Sequence, residues 1–426
     1  MYRFYRLLTI ICGPFISLLL SYREKNGKEN KRSITEKTCS KFSKSRPTNI
    51  KKMLWLHGAS VGEAQSSLIL IKHLLNTFPD LHILVTTGTL TSAVLMEKRL
   101  PDRAFHQFCP LDRPKYVKKF IDYWHPDGAL WMESELWPNM LHELKKQDIP
   151  TILVNARMSP KSFKYWSYFP SFSNKILGTF NKILCQSDGD KNLFDLLGAE
   201  KTIVTDNIKY SAAPLTYNKE DLTDIRDATQ ERNICLYAST HEGEEELACS
   251  VHERLKQSIP DILTIIVPRH PERRGNIAQN CCTYPVKLSF RGEDKSLPNK
   301  DDDIYIADTL GELGMFYALS PIAFIGRSLS NDGGGGHNPI EAAQLGCAIL
   351  HGPNIQNLQD IYNQMHKQNA ALIVNNISAL EDMCFNLLKD KNRCATMQRA
   401  SSAFAKEKAN VINAVIKEIT PCLEHI

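Results

Sequence analysis

From residue 53 onward the chain alternates short, wholly apolar runs with stretches whose apolar positions recur at helical spacing. Runs at 53–56, 83–86, 128–132, 151–154 and 183–186 predict strands, and the periodic stretches predict helices over 63–77, 91–100, 115–124, 136–147 and 190–197. Strands that are apolar on both faces belong to a parallel sheet covered by helices on either side. Between 210 and 232 the periodicity fades and the composition turns polar, which predicts a linker. The alternation then resumes with runs at 234–238, 262–267, 304–307, 322–325, 348–351 and 371–374. The expectation is an α/β protein of two doubly wound, Rossmann-like domains, 53–209 and 233–426, whose closing helices from about 377 end with one able to cross back to the first domain. Ligands of such sheets bind beyond the carboxyl ends of strands, so loops following strands are expected to converge on a cleft between the domains.

The first 52 residues follow a different pattern. Residues 7–20 are almost wholly apolar, broken by Gly13 and Pro14 and flanked by Tyr2, Tyr5 and Tyr22. The segment is shorter than the roughly 20 residues of a spanning helix, and no small-residue cleavage site follows it. Residues 23–52 are rich in Lys and Arg, opposed only by Glu24, Glu29 and Glu36. This predicts a membrane anchor over 1–22, spanning or interfacial, and a basic juxtamembrane segment that favours anionic lipids and keeps the domains on the cytoplasmic side. With the first strand beginning near Met53, residues 1–50 are expected to be dispensable for folding.

A chain of 426 residues with 42% apolar content can fill complete cores. The 12 cysteines contain no C-x-x-C, which argues against a zinc ribbon or a dithiol redox motif. The net charge of +5 is mild, and no nucleic-acid partner is expected.

Residues 326–346, following the apolar run 322–325, combine glycines 333 to 336 with the start of an expected amphipathic helix, a suitable place for a phosphate. Asn338 and Glu341 would share one face of that helix, or form its cap. Behind the first strand stands His-Gly-Ala-Ser-Val-Gly-Glu (57–63), where Glu63 is either a general base for a hydroxyl or the partner of Ser60 in a capping box. Ser239 with Glu242 and Thr309 with Glu312 repeat that spacing. Trp131-Met-Glu-Ser-Glu-Leu-Trp137 places two acids at another strand end: Glu135 is explained by the helix start at Pro138, and Glu133 is the better functional candidate. Cations follow strands at Arg157 and at Arg269 to Arg273, and Lys209 stands at the entry to the linker.

Six stretches in order, 57–63, 132–139, 155–159, 239–245, 267–273 and 335–343, resemble the bacterial 3-deoxy-D-manno-octulosonic acid (Kdo) transferases of lipopolysaccharide synthesis over nearly the whole length. The resemblance implies the two-domain GT-B glycosyltransferase fold, an acceptor-binding first domain and a CMP-sugar-binding second domain. It implies inverting transfer of Kdo from CMP-Kdo to the glucosamine disaccharide of a tetraacyl lipid A precursor, lipid IVA, at the inner membrane. Glu63 then matches the general base, and Glu133 and Lys209 match transition-state stabilisers. Pro268, Arg269, Leu310, Gly311, Glu312, Asn338, Pro339, Ile340 and Glu341 match stretches that hold the CMP moiety. No metal or other cofactor is expected. The chain departs from the family pattern in Gly326-Arg327-Ser328, in Asp206-Asn207-Ile208 before Lys209, and in its longer glycine run. A sugar-nucleotide epimerase and a non-catalytic nucleotide-binding module are the alternatives, disfavoured by the anchor and by the paired acids respectively.

Overall fold

The computed structural model describes every residue except Asn49, Glu231, Glu293, Asn331, Asn357, His425 and Ile426. The chain divides into two compact units: unit 1 is Met1–Ala212 with Asn410–Ile426, and unit 2 is Ala213–Ala409.

Unit 1 is built on a parallel sheet of β1 (Lys52–His57), β2 (Leu81–Thr87), β3 (Ala104–Phe108), β4 (Gly128–Met132), β5 (Thr151–Ala156), β6 (Lys182–Cys185) and β7 (Thr202–Val204), in the order β3-β2-β1-β4-β5-β6-β7. β1, β4 and β5 are buried along almost their whole length, which is why uninterrupted apolar runs encode them. The order reverses between β1 and β4, which pair from Leu54↔Gly128 to His57↔Trp131. One core layer joins Leu54, Leu56 and Ile71 to Val411, Val415 and Ile419 of the closing helix Val411–Glu424, so the chain does return to the first sheet.

Unit 2 repeats the scheme with β8 (Asn233–Thr240), β9 (Ile262–Pro268), β10 (Leu288–Phe290), β11 (Ile304–Ile306), β12 (Ile322–Ile325), β13 (Ala348–His351) and β14 (Ala371–Ile373), all parallel, in the order β10-β11-β9-β8-β12-β13-β14. Its reversal lies between β8 and β12, paired from Cys235↔Ile322 to Ala238↔Ile325. The predicted linker is largely structured: Lys219–Ala228 is a helix that buries Leu222 and Ile225 and packs on Leu313–Leu319. One buried face and a charged remainder account for its polar composition.

The basic segment is likewise part of the fold rather than a solvated tether. Helix Lys31–Lys37 is capped reciprocally by Asn30 and Ser33. Buried Glu36 accepts the Phe108 backbone N–H (2.8 Å), Leu111 N–H donates to the Lys37 carbonyl (2.9 Å), and Lys37 Nζ binds both Glu29 oxygens (2.6 and 2.8 Å). Cys39 is fully buried in the core with Trp55 and Trp124, and Phe42 stacks on Tyr123. Removal of residues 1–50 would therefore strip a docked layer from the sheet, contrary to the expectation from the apolar pattern.

Helices Tyr2–Ile11 and Gly13–Lys25 bend by 60° at their junction, and among the described residues no single helix is long and apolar enough to cross a membrane. Gly13 permits the break. A Cβ there would lie 2.1 Å from Arg113 Nη2, the guanidinium nitrogen that reaches the Ile10 carbonyl (3.2 Å) left free at the end of the first helix. Asp112 secures the same helix, accepting the Tyr5 hydroxyl (2.8 Å) together with the N–H groups of Asn139 (3.1 Å) and Met140 (2.8 Å).

Candidate functional site

Both reversals of strand order carry the sequence motifs, where open α/β sheets place ligands. The non-glycine residues in left-handed backbone include Glu133 (φ 54°), Asn155 (φ 56°), Ser239 (φ 58°) and Arg327 (φ 58°) at the carboxyl ends of strands. Asn155 and Ser239 coincide with register shifts in β5 and β8. Such conformations cost about 1–3 kcal/mol and persist where the surroundings enforce them, commonly at sites.

In unit 1, Ser60 caps helix Val61–Thr77 by accepting the Glu63 N–H on Oγ (3.2 Å), while the Glu63 carboxylate accepts the Ala59 N–H on Oε2 (2.8 Å) and the Ser60 hydroxyl on Oε1 (2.7 Å). The capping box read from Ser60 and Glu63 is only half formed, because the carboxylate takes the Ala59 N–H and not that of Ser60; these bonds fix it at the carboxyl end of β1. Across the reversal, Glu133 follows β4, its left-handed backbone anchored by its N–H to the Val154 carbonyl (3.0 Å). Lys209 Nζ lies 3.8 Å from Glu133 Oε1. Burial raises the Glu133 pKa above the ordinary carboxylate value; Lys209 and Arg157 oppose the rise, and the nearby charges of Glu63 and Glu135 add to it. Glu63, Glu133 and Lys209 therefore form one mixed-charge group.

The residues that hold this group were largely unassigned from sequence. Asn155, fully buried, accepts the Ile208 N–H on Oδ1 (3.0 Å); Gln186 donates to the Asn155 carbonyl (2.8 Å) and accepts from Asn207 (2.9 Å), which itself accepts the Lys209 N–H (3.0 Å). Asn155 is a support for Lys209, and the exposed Arg157 of the same stretch acts on the charge of Glu133. Beneath them, His57 Nε2 lies 3.9 Å from Glu135. Burial opposes charging of the ring, but Cys109 and Glu135 outweigh it and push His57 up to about 10. Glu135 is conversely held below the usual carboxylate range: burial would raise it, and His57 with the Trp137 indole (2.8 Å) prevails. The signal was the alternation of aromatics and acids in 131–137, visible but not interpretable as a pair with His57.

In unit 2, Pro268 ends β9 and is buried, while Arg269 is exposed, its N–H bound to the Thr240 carbonyl (3.0 Å) and its guanidinium unpaired among the described residues. Arg273 and Arg274 of the same turn are spent on Glu245 (3.1 Å) and Asp308 (2.9 Å). Asn338 Oδ1 accepts the Ile340 N–H (3.1 Å), Pro339 precedes the helix, and Ile340 is buried. The helix is only Ile340–Gln344, shorter than the amphipathic element expected. Burial raises the Glu341 pKa, with Asn338 and Arg269 opposing, so Arg269, Asn338 and Glu341 are brought together. Leu310 and Gly311 form an exposed turn, Gly311 at φ 85°. Glu312 is not free for a ligand: Arg291 grips both of its oxygens (2.6 and 2.8 Å) and Thr309 donates to it.

Glu244 was missed. It is buried and accepts the N–H groups of His241 (3.0 Å), Arg327 (2.7 Å), Ser328 (3.1 Å) and Leu329 (3.0 Å), tying the loop after β8 to the loop after β12. The expected Ser239–Glu242 box is absent, because Gly243 is the cap of helix Glu244–Lys256. Gly326 lets the two loops touch, as a Cβ there would lie 2.5 Å from the Ser239 carbonyl oxygen. Arg327 is neutralised by Asp332 (3.0 Å), and its side chain fills the space where Gly334 would carry a Cβ (2.5 Å from Arg327 Cγ). Part of the long glycine run therefore accommodates Arg327; Asn331, two residues before the run, lies outside the described residues. His241 and His337 meet at 3.1 Å, and His241 reaches Asp332 at 3.3 Å. Burial, His241 and Arg269 lower the His337 pKa to about 4.

A family model described as 3-deoxy-D-manno-octulosonic-acid transferase (kdotransferase) matches residues 31–212. Its start at residue 31 agrees with the docked position of helix Lys31–Lys37. The chain is 33% identical over 422 residues to the 3-deoxy-D-manno-octulosonic acid transferase of Rickettsia bellii, covering 99% of each chain. It is 30% identical over 429 residues to that of Haemophilus influenzae, covering 99% of this chain and 98% of the relative. Among solved structures, the UDP-GlcNAc 2-epimerase from Neisseria meningitidis bound to UDP-GlcNAc superposes with a TM-score of 0.58 at 14% identity, covering 87% of this chain and 100% of that one. A glycosyltransferase from Rickettsia africae gives 0.59 at 14%, covering 88% and 98%. These two likenesses establish the fold, two parallel-sheet α/β domains of the GT-B type. The family model together with the identity to these relatives over the full length places the chain in the 3-deoxy-D-manno-octulosonic acid (Kdo) transferase family, and it is a glycosyltransferase.

Proposed function

We propose that the protein transfers Kdo from CMP-Kdo to a hydroxyl of the glucosamine disaccharide of lipid IVA, with inversion, and that Glu63 is the general base. The observation that carries this reading is the Glu63–Glu133–Lys209 group at the strand-order reversal of unit 1. In the step proposed, the acceptor oxygen bonds to the anomeric carbon of Kdo while the bond from that carbon to the CMP phosphate oxygen breaks. The acceptor proton passes to Glu63, and CMP leaves with the electron pair. Lys209 and Glu133 lie beside the base and stabilise the charge that develops. In unit 2, Arg269 with Asn338 and Glu341 are the donor contacts: an unpaired guanidinium suits the phosphate, and amide and carboxylate suit hydroxyls.

Because Arg269 can take up the charge of the leaving phosphate, we assign no metal to the reaction. Membrane association at the cytoplasmic face of the inner membrane belongs to the same proposal, supported by the exposed Phe4, Leu7, Leu8, Ile11, Phe15, Leu18 and Leu19. The reaction is tested by incubating the purified chain with CMP-Kdo and tetraacyl disaccharide. A lipid product heavier by one or more Kdo residues supports it. CMP-Kdo consumed without a lipid product, or left unconsumed, refutes it.

A further inference from the structure

The first helix presents two chemically different faces. Phe4, Leu7, Leu8 and Ile11 are exposed, whereas Tyr2, Tyr5, Arg6 and Thr9 are partly covered. On the covered side, where the helix approaches Pro138–Lys146 and Pro170–Leu177, lies a cavity of about 650 Å³ whose lining includes Tyr2, Arg3, Arg6, His142 and Lys175. Lys175 Nζ stands 5.4 Å from the centre of the Tyr2 ring, and that ring packs 4.3 Å from the ring of His142. Arg3, Arg6 and Lys175 have no ion-pair partner among the described residues, and Glu143 beside them is engaged by Lys146 (3.4 Å). The buried Tyr2 hydroxyl has no acceptor for its proton. Burial together with Lys175 and Arg6 keeps His142 neutral, with its pKa below the ordinary imidazole value.

Three cations without a carboxylate partner and a phenol without an acceptor around one cavity form a receptor for a small anion. Exposed Leu7 and Ile10 stand one helical turn beyond Arg3 and Arg6 on the same side of the helix, so the anion that fits carries hydrocarbon.

We propose that this cavity binds the phosphodiester of an anionic phospholipid, whose acyl chains lie along Leu7 and Ile10. The proposal rests on the membrane reading above and sharpens it. The helix pair is an interfacial foot held on unit 1 by Asp112, and it grips an individual headgroup instead of floating over a diffuse charged surface. Guanidinium groups match the phosphate oxygens in pairs, and the Tyr2 hydroxyl supplies a further donor.

The probe is dihexanoylphosphatidylglycerol below its micelle concentration, titrated calorimetrically into the full chain beside dihexanoylphosphatidylcholine. The variant is Arg3→Gln/Lys175→Gln, in which both altered side chains are solvent-exposed in the native fold. The expected result is saturable one-to-one binding of the glycerol lipid, weaker binding of the choline lipid, and a loss of roughly tenfold or more in the double variant. Absence of saturable binding, or unchanged affinity in the variant, overturns the proposal. Sedimentation with phosphatidylcholine vesicles, with and without phosphatidylglycerol, separates the two levels of the argument. Binding to both without preference sinks the pocket and leaves the membrane reading intact; binding to neither sinks both. Transfer in lipid-free detergent should be the same in wild type and variant. A fall there would assign the cavity to the phosphates of the acceptor and overturn the phospholipid assignment.

Discussion

Three Ser/Thr-x-x-Glu pairs look alike along the chain and meet three different fates. Ser60 caps its helix while Glu63 turns back to the Ala59 N–H and the Ser60 hydroxyl at a strand end, Ser239 and Glu242 form no box, and Thr309 donates to a Glu312 already held by Arg291. Spacing identifies a helix start but not the tertiary partners of the carboxylate, so the special position of Glu63 was legible only through the motifs around it. The site of unit 1 was otherwise legible in Glu133 and Lys209. Asn155, Gln186, Asn207 and Glu244 were not, because their work is done on backbone groups distant in sequence. At this scale the pH dependence can be predicted. Burial raises the Glu133 pKa, so a function requiring its carboxylate form fails as pH falls through a value above the ordinary carboxylate range. Lys209 opposes the rise; Lys209→Met should therefore shift the acid limb of the kcat/KM profile to higher pH as well as lower its plateau. An unmoved limb would separate Glu133 from that ionisation. Arg269→Ala should weaken CMP-Kdo binding by roughly tenfold to a hundredfold, as loss of one charge-assisted contact of about 1.5–3 kcal/mol implies, with the melting temperature nearly unchanged.

At the scale of elements, the strands that the apolar pattern did not reveal are β3, β7 and β10, all at sheet edges. β7 and β10 are only partly buried along their length, so no two-sided apolar run is required of them. The segment before β1 was misread for a related reason. Its contribution is made by Glu36, Lys37 and Cys39, polar or small residues that carry no periodic signal but are buried once docked. Two truncations distinguish the roles of these parts. A chain lacking residues 1–25 should fold and act on detergent-dispersed acceptor while sedimenting less with anionic vesicles. A chain lacking residues 1–50 also loses the cover of Cys39 and the acceptor of the Phe108 N–H, each orphaned group costing about 1–3 kcal/mol. It should melt lower or aggregate. Equal melting temperatures for the two truncations would show that the 26–50 layer contributes little.

For the whole molecule, two units repeat one plan: a seven-stranded parallel sheet with its motifs at the reversal of strand order. Alternating runs were enough to reveal that plan, while the assignment of the closing helix to unit 1 needed the packing of Val411, Val415 and Ile419. An arrangement with Arg269 as the phosphate contact predicts that transfer persists after exhaustive EDTA treatment; a strict requirement for added magnesium would contradict it. The measurement that bears most directly on the whole account is Kdo transfer to the lipid acceptor by Glu63→Gln against wild type, with CMP-Kdo binding measured on the same samples. Loss of a general base costs about a hundredfold to ten-thousandfold in rate. The account predicts a folded variant that binds donor normally and transfers slower by that range. Near-normal turnover would contradict it and leave Glu63 as a helix cap alone.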